Sequence, residues 1–166
     1  MKLVGIIDED FINYRKPSMV LEFPYCDFKC MKECGMQVCQ NLPLASMPII
    51  EVKSDTLIKR FINNPITEAI VMQGLEPLSE ESFPEILEFI RKLPYKIDVV
   101  IYTGYDEFEV VDKVEALKDA LPSIVSNLII KFGRFKPNQQ YHYDEILGVN
   151  LASENQYAKQ YHGKTR

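Results

Sequence analysis

Four cysteines stand between positions 26 and 39, in the run CDFKCMKECGMQVCQN from Cys26 to Asn41, and the rest of the 166-residue chain has none. Disulfides confined to this run would staple only one short loop. In a reducing compartment, clustered thiols serve more often as metal ligands or redox groups. Two metal chemistries fit them. Thiolates of Cys26, Cys30, Cys34 and Cys39 can close a tetrahedral zinc site, although structural zinc sites commonly pair two-residue spacers in separate knuckles, which this run lacks. Alternatively, they hold a 4Fe-4S cluster from a loop. With only three thiolates bound, one iron keeps a position open for an exogenous ligand, as catalytic metal sites do. Inert buried thiols are the remaining reading, and the density of the run speaks against it.

The flanking sequence predicts the elements that position this run. Met19 to Phe23 (MVLEF) reads as a first strand, closed by Pro24. A helix starts at Ser54, sets Leu57, Ile58, Phe61 and Ile62 on one face, and stops before Pro65. A second strand, Ala69 to Met72, runs into Gly74-Leu75-Glu76-Pro77. Ser82 with Glu85 reads as the capping box of a helix that buries Ile86, Leu87, Ile90 and Leu93. The third strand, Ile97 to Tyr102, breaks at Thr103-Gly104-Tyr105. Asp106 with Glu109 caps a helix whose apolar positions are Val110, Val114, Leu117 and Leu121, ended by Pro122. Leu128 to Phe132 is the fourth strand, breaking at Gly133-Arg134-Phe135.

Strands alternating with helices imply right-handed βαβ crossovers and a parallel sheet, hence an α/β fold. The cysteines, GLEP, TGY and GRF each follow a strand directly, so all four fall at the carboxyl edge. Parallel sheets and barrels place their sites there. Residues 1–166 read as one domain, 46% hydrophobic, with a polar tail over 155–166 that docks or is disordered. The formal net charge of -5 carries no basic footprint, so neither nucleic acid nor a membrane is an expected partner. A soluble, cytoplasmic chain is the expectation. His142 and His162 stand alone in polar surroundings, without a partner that would make either a ligand.

In their order these motifs resemble the radical S-adenosylmethionine superfamily. The chain is most similar to the small activating proteins of glycyl radical enzymes, in particular the activase of anaerobic ribonucleotide reductase. That family has three cysteines, spaced by three and then two residues, after the first strand, with an Asn two residues beyond the last. Cys26 and Cys30 match the first spacing, and Cys39-Gln40-Asn41 matches the ending. GLEP corresponds to the family's Gly-Gly-Glu-Pro, Tyr102 to Tyr105 to its TGY, Gly133 to Phe135 to its GRF, and Ala152 to Gln156 to its closing Gly-Ser-x-Asn-Gln. The resemblance covers nearly the whole chain.

What the resemblance implies is an open, partial TIM-like barrel of βα units holding a 4Fe-4S cluster and S-adenosyl-L-methionine. Cluster ligands would be Cys26, Cys30 and Cys39, with Cys34 as the alternative third ligand, since the spacing departs from the family's after Cys30. Cofactor contacts would come from Asn41, Gly74, Leu75, Glu76, Thr103 and Tyr105. Leu75 replaces a family glycine, which limits backbone approach there. The implied chemistry is reductive cleavage of the cofactor to a 5'-deoxyadenosyl radical. The implied partners are a glycyl radical enzyme, the large subunit of anaerobic ribonucleotide reductase, and a reduced flavodoxin or ferredoxin-type electron donor. Two alternatives stand beside this: a radical enzyme acting on a small molecule, and a non-catalytic zinc-binding interaction module.

Overall fold

Apolar strands with alternating side chains dictate the architecture. The computed structural model describes residues 1–94, 97–121 and 127–162. In chain order its elements are β1 (Lys2–Leu3), β2 (Gly5–Asp10), β3 (Ser18–Phe23), α1 (Lys29–Cys34), β4 (Ile50–Glu51), α2 (Ser54–Ile62), β5 (Ala69–Gly74), α3 (Phe83–Arg91), β6 (Asp98–Tyr102), α4 (Val111–Ala120), β7 (Asn127–Phe132), β8 (His142–Asp144), β9 (Val149–Leu151) and β10 (Tyr157–Tyr161). Short 3-10 turns lie at Leu42–Ser46 and Glu107–Glu109.

Strands β3, β5, β6 and β7 run parallel in sequence order. Helices α2, α3 and α4 supply the connections between them. β2 adds antiparallel to β3, and β10 antiparallel to β7, giving the order β10-β7-β6-β5-β3-β2. The fold is therefore α/β, with an open, mixed, mostly parallel sheet that is not closed into a barrel.

Met19, Leu21, Ile70, Met72, Val99, Ile101, Leu128 and Ile130 face one side, packed on Leu57, Phe61, Ile86, Ile90 and Leu117 of the three helices. Val20, Val71, Val100 and Ile129 face the other, where Tyr14, Leu147 and Leu151 cover them instead of a helix. Both faces are dry, which is why these strands read as continuous apolar runs. No helix among the described residues is long and apolar enough to cross a membrane.

Several local expectations change. The Ser82–Glu85 capping box does not form. Ser82 has helical dihedrals (φ -89°, ψ -32°) and its buried hydroxyl has no partner, while Glu85 accepts from the Lys2 amide at 2.9 Å. The box at Asp106 and Glu109 does form, on the 3-10 turn that precedes α4. Ile62, at the last residue of α2, is 44% exposed, and Phe89 rather than Leu87 fills the α3 core position. Pro122 lies outside the described residues.

The segment before β3, for which the sequence reading names no element, holds β1 and β2. β2 shows no alternation because it is an edge strand whose Asp8 pairs with Arg60 in solvent. The expected tail is in part β10. It buries Ala158, and Tyr157, Lys159 and Tyr161 all donate to the Glu107 carboxylate.

Candidate functional site

The loops after β3, β5, β6 and β7 meet over one cavity of about 280 Å³. Its wall includes Cys26, Cys30, Asn41, Gly74, Leu75, Glu76, Thr103 and Tyr105. Cys39 does not line it, and Cys34 faces a neighbouring depression beside Lys136. The Leu75 amide donates to the Phe23 carbonyl at 3.0 Å and the Glu76 amide to the Tyr25 carbonyl at 2.8 Å, so the cysteine run and the GLEP turn leave the sheet together. The Asn41 side-chain amide donates to the Gly74 carbonyl at 2.6 Å, returning the end of the cysteine run to the same turn. Gly74 has φ +101°, and a Cβ there would stand 2.6 Å from the Phe23 nitrogen. The adjacent strand alone thus demands glycine at this position.

Glu76 is 3% exposed and its carboxylate is committed to the protein. Its Oε1 accepts from the Thr103 hydroxyl at 2.8 Å and the Leu78 amide at 2.9 Å, and its Oε2 from the Gly104 amide at 2.8 Å. Burial pushes its pKa up to about 7, against the pull of these donors. Glu76 therefore ties the GLEP turn to the TGY turn. The Tyr105 hydroxyl donates to Asp27 at 3.1 Å, next to Cys26.

Gly133 has φ +97°, with Asn155 against it. The Asn155 amide donates to the Arg134 carbonyl at 2.9 Å and the Gln156 amide to the Gly133 carbonyl at 3.2 Å. The ASENQ segment thus latches the GRF turn.

Sequence reasoning missed several contributors to the cavity wall, among them Lys131, Tyr102 and Asn13. Lys131 is 7% exposed and its ammonium donates to the Gly133 carbonyl at 2.7 Å. Burial lowers its pKa to about 8, opposed by the charge of Glu76. The signal was available, since a lysine inside LIIKF points away from the face that Ile130 and Phe132 share. Tyr102 donates to the Asn13 carbonyl at 2.6 Å, and both residues line the cavity. Asn13 belongs to the opening segment, where no periodicity marked it.

All four thiols are free and half-buried. Burial pushes Cys26 up to about 12, with Glu76 and Asp27 adding to the effect. Cys30 is raised by burial first, then by the neighbouring thiols of Cys39 and Cys34. Cys30 and Cys34 are one helical turn apart on α1, which is flanked by Phe28 in the left-handed region (φ 54°) and by Gly35. Loading with metal has to displace protons from these thiols.

The geometry bears on which metal would fit. Among the described residues, no three His, Cys, Asp or Glu side chains are arranged to hold a single metal ion. Zinc needs four donors within about 2.3 Å of one point. A 4Fe-4S cubane attaches its thiolates to different irons and takes thiols that are neighbours without converging. Cys26, Cys34 and Cys39 each lie close enough to Cys30 to perturb it or be perturbed by it. No protein-family model matches this chain, and no curated protein and no solved structure matches it.

Proposed function

We propose that this protein is a radical S-adenosylmethionine activating enzyme, with a 4Fe-4S cluster held by Cys26, Cys30 and Cys39, or by Cys34 as the third ligand. The observation that carries the reading is the meeting of four separate post-strand motifs over one cavity with two thiols in its wall. When bound and reduced, the cluster supplies the electron that splits S-adenosylmethionine into methionine and a 5'-deoxyadenosyl radical.

The chain's own residues bind and orient. Lys131 offers a buried ammonium, matched to the carboxylate of the methionine moiety. Asn41 and Glu76 act from behind, holding the GLEP and TGY turns in register, while Thr103 and Tyr105 face the nucleoside side. A cavity of about 280 Å³ is at the lower end of small-ligand pockets. The cavity opens to solvent, so a loop of a partner protein can reach a cofactor bound in it. This supports a protein loop as hydrogen donor, from a glycyl radical enzyme such as the large subunit of anaerobic ribonucleotide reductase. Reduced flavodoxin or a ferredoxin-type protein is the proposed electron donor.

Anaerobic reconstitution tests the reading: about four irons and four sulfides per chain are expected. Dithionite with S-adenosylmethionine should then yield 5'-deoxyadenosine, and a glycyl radical signal should appear only with the reductase. A colourless protein carrying one zinc would overturn the proposal.

A further inference from the structure

Helix α1 carries two of the four thiols, yet none of its residues is buried, and no residue from Pro24 to Lys53 is buried. Hydrophobic packing does not fix its position. Charge does. Lys29 and Glu33 stand one turn apart on the helix and so share a side. Lys29 Nζ lies 3.1 Å from Glu109 Oε1, and Glu33 Oε1 lies 3.4 Å from Arg134 Nε. Arg134 Nη2 in turn donates to both Glu109 oxygens at 2.7 Å. Lys29, Glu109, Arg134 and Glu33 thus form a chain of alternating sign whose two ends lie on α1.

Two of its members are held by the sheet edge independently of α1. Glu109 Oε2 accepts from the Asp106 amide at 2.8 Å in the capping box, and Arg134, 6% exposed, follows the latched Gly133 and lies 3.4 Å from Asp106. The Tyr105 ring sits beside these charges, its centroid 4.8 Å from Lys29 Nζ and 6.0 Å from the Arg134 guanidinium carbon. Single exposed pairs contribute little, but a largely desolvated pair in which one guanidinium nitrogen takes both carboxylate oxygens gives its neighbours a fixed counter-surface.

We infer that Glu109 and Arg134 are positioning residues that dock α1 through Lys29 and Glu33, and thereby set where Cys30 and Cys34 stand beside the cavity. The order of charges on α1 is what the dock reads: reversed, it meets like charge at both ends. Any effect on cluster loading rests on the function proposed above, whereas the docking itself does not.

The double variant K29E/E33K tests this. It leaves composition and net charge unchanged, and it gives the isolated helix the better order, with Glu preceding Lys by one turn. Loosening can then come only from docking. The metal-free, reduced full chain is labelled with a maleimide, each thiol followed by mass spectrometry, alongside hydrogen exchange. Cys30 and Cys34 should label about tenfold faster than in the unmodified chain, with exchange raised over residues 26–41 and unchanged in β5 and β6. K29R, which keeps the charge, should hold the original rate. Raising salt from about 0.05 to about 1 M should speed labelling of the unmodified chain and not of the double variant. Unchanged labelling in K29E/E33K, or equal loosening of β5 and β6, would overturn the inference. With no metal present, neither outcome touches the cluster proposal.

Discussion

Replacing Glu76 by Gln should remove most of the pH dependence of stability between pH 5 and 7. In the unmodified protein, burial raises this carboxyl from an ordinary value of 4.5 to about 7. Between those values the folded chain keeps a proton that the unfolded chain has released, so stability falls as pH rises through the window. At about 1.4 kcal/mol for each pH step, the displacement corresponds to about 3 kcal/mol. Gln carries no charge and shows no such slope. It does have a cost of its own.

Whichever way the new amide turns, its NH2 faces either the Gly104 amide or the Thr103 hydroxyl and Leu78 amide, at about 1–3 kcal/mol. A protonated Glu keeps lone pairs on both oxygens and avoids that conflict. E76Q should therefore be less stable by about 1–3 kcal/mol at pH 5 and equal or more stable at pH 8, so that the two curves cross. Lys131 acts at the alkaline end of the test: burial lowers its pKa to about 8 against the charge of Glu76, so removing that charge lets it fall further, and the resulting rise of stability with pH in E76Q adds to the crossing. The chain has no Trp, so urea unfolding is best followed by circular dichroism. A difference between the two proteins that stays constant from pH 5 to 8 would refute the reasoning.

Three further outcomes are expected. Gly74→Ala forces φ +101° on a residue with a Cβ and drives it against the Phe23 backbone, so the thermal midpoint should fall by about 2–4 °C for each of about 1–3 kcal/mol lost. An unchanged midpoint counts against this geometry. Asp98, 1% exposed, accepts from Lys16 at 2.5 Å, Asn127 at 2.8 Å and Tyr14 at 3.1 Å; burial alone would raise its pKa, but these donors outweigh it and hold it low. Its stabilising effect is thus present at neutral pH and lost as pH falls through the depressed value. Asp98→Asn should cost about 1–3 kcal/mol at pH 7 and flatten the acid limb, as read by urea titrations at pH 7 and 3. Cys26→Ala and Cys30→Ala should abolish iron incorporation, and Cys39→Ala should reduce it more than Cys34→Ala. Full iron in Cys39→Ala would move the third ligand to Cys34.

The fold was legible wherever burial imposes a period. Ala69 to Met72 and Leu128 to Phe132 are dry on both faces and announce strands, and α2 runs from Ser54 to Ile62 between a polar start and Pro65. Legibility failed at the sheet margins. β2 exposes Asp8 and Glu9 as an edge strand, and β10 gains its place from one carboxylate, Glu107, gathering three donors across about fifty residues. No local pattern encodes such a tie. At the candidate site, the motif residues after each strand share the cavity as their positions demand. Their roles are less local. Glu76 reads as a ligand-facing acid in the sequence but spends its oxygens on Thr103, Gly104 and Leu78, while Lys131, hidden in a strand, is the buried cation in the wall.

The cysteine run obeys a different physics from the sheet beneath it. From Pro24 to Lys53 no residue is buried, so the segment contributes little apolar burial, while its ordering still costs backbone entropy. Raised thiol pKa values at Cys26 and Cys30 add a cost to forming the thiolates that a metal needs. The dock through Lys29 and Glu33 orders α1 in the metal-free chain, and a metal bound as proposed above would add to that order in the rest of the segment. Metal loading and the remaining loop ordering would then be coupled. Iron affinity should consequently rise with pH, as thiol deprotonation becomes easier. Protection of residues 26–41 from hydrogen exchange should track iron content, with the sheet strands unaffected. Equal protection of that segment in the loaded and metal-free chains would show that the loop is ordered before its ligand arrives.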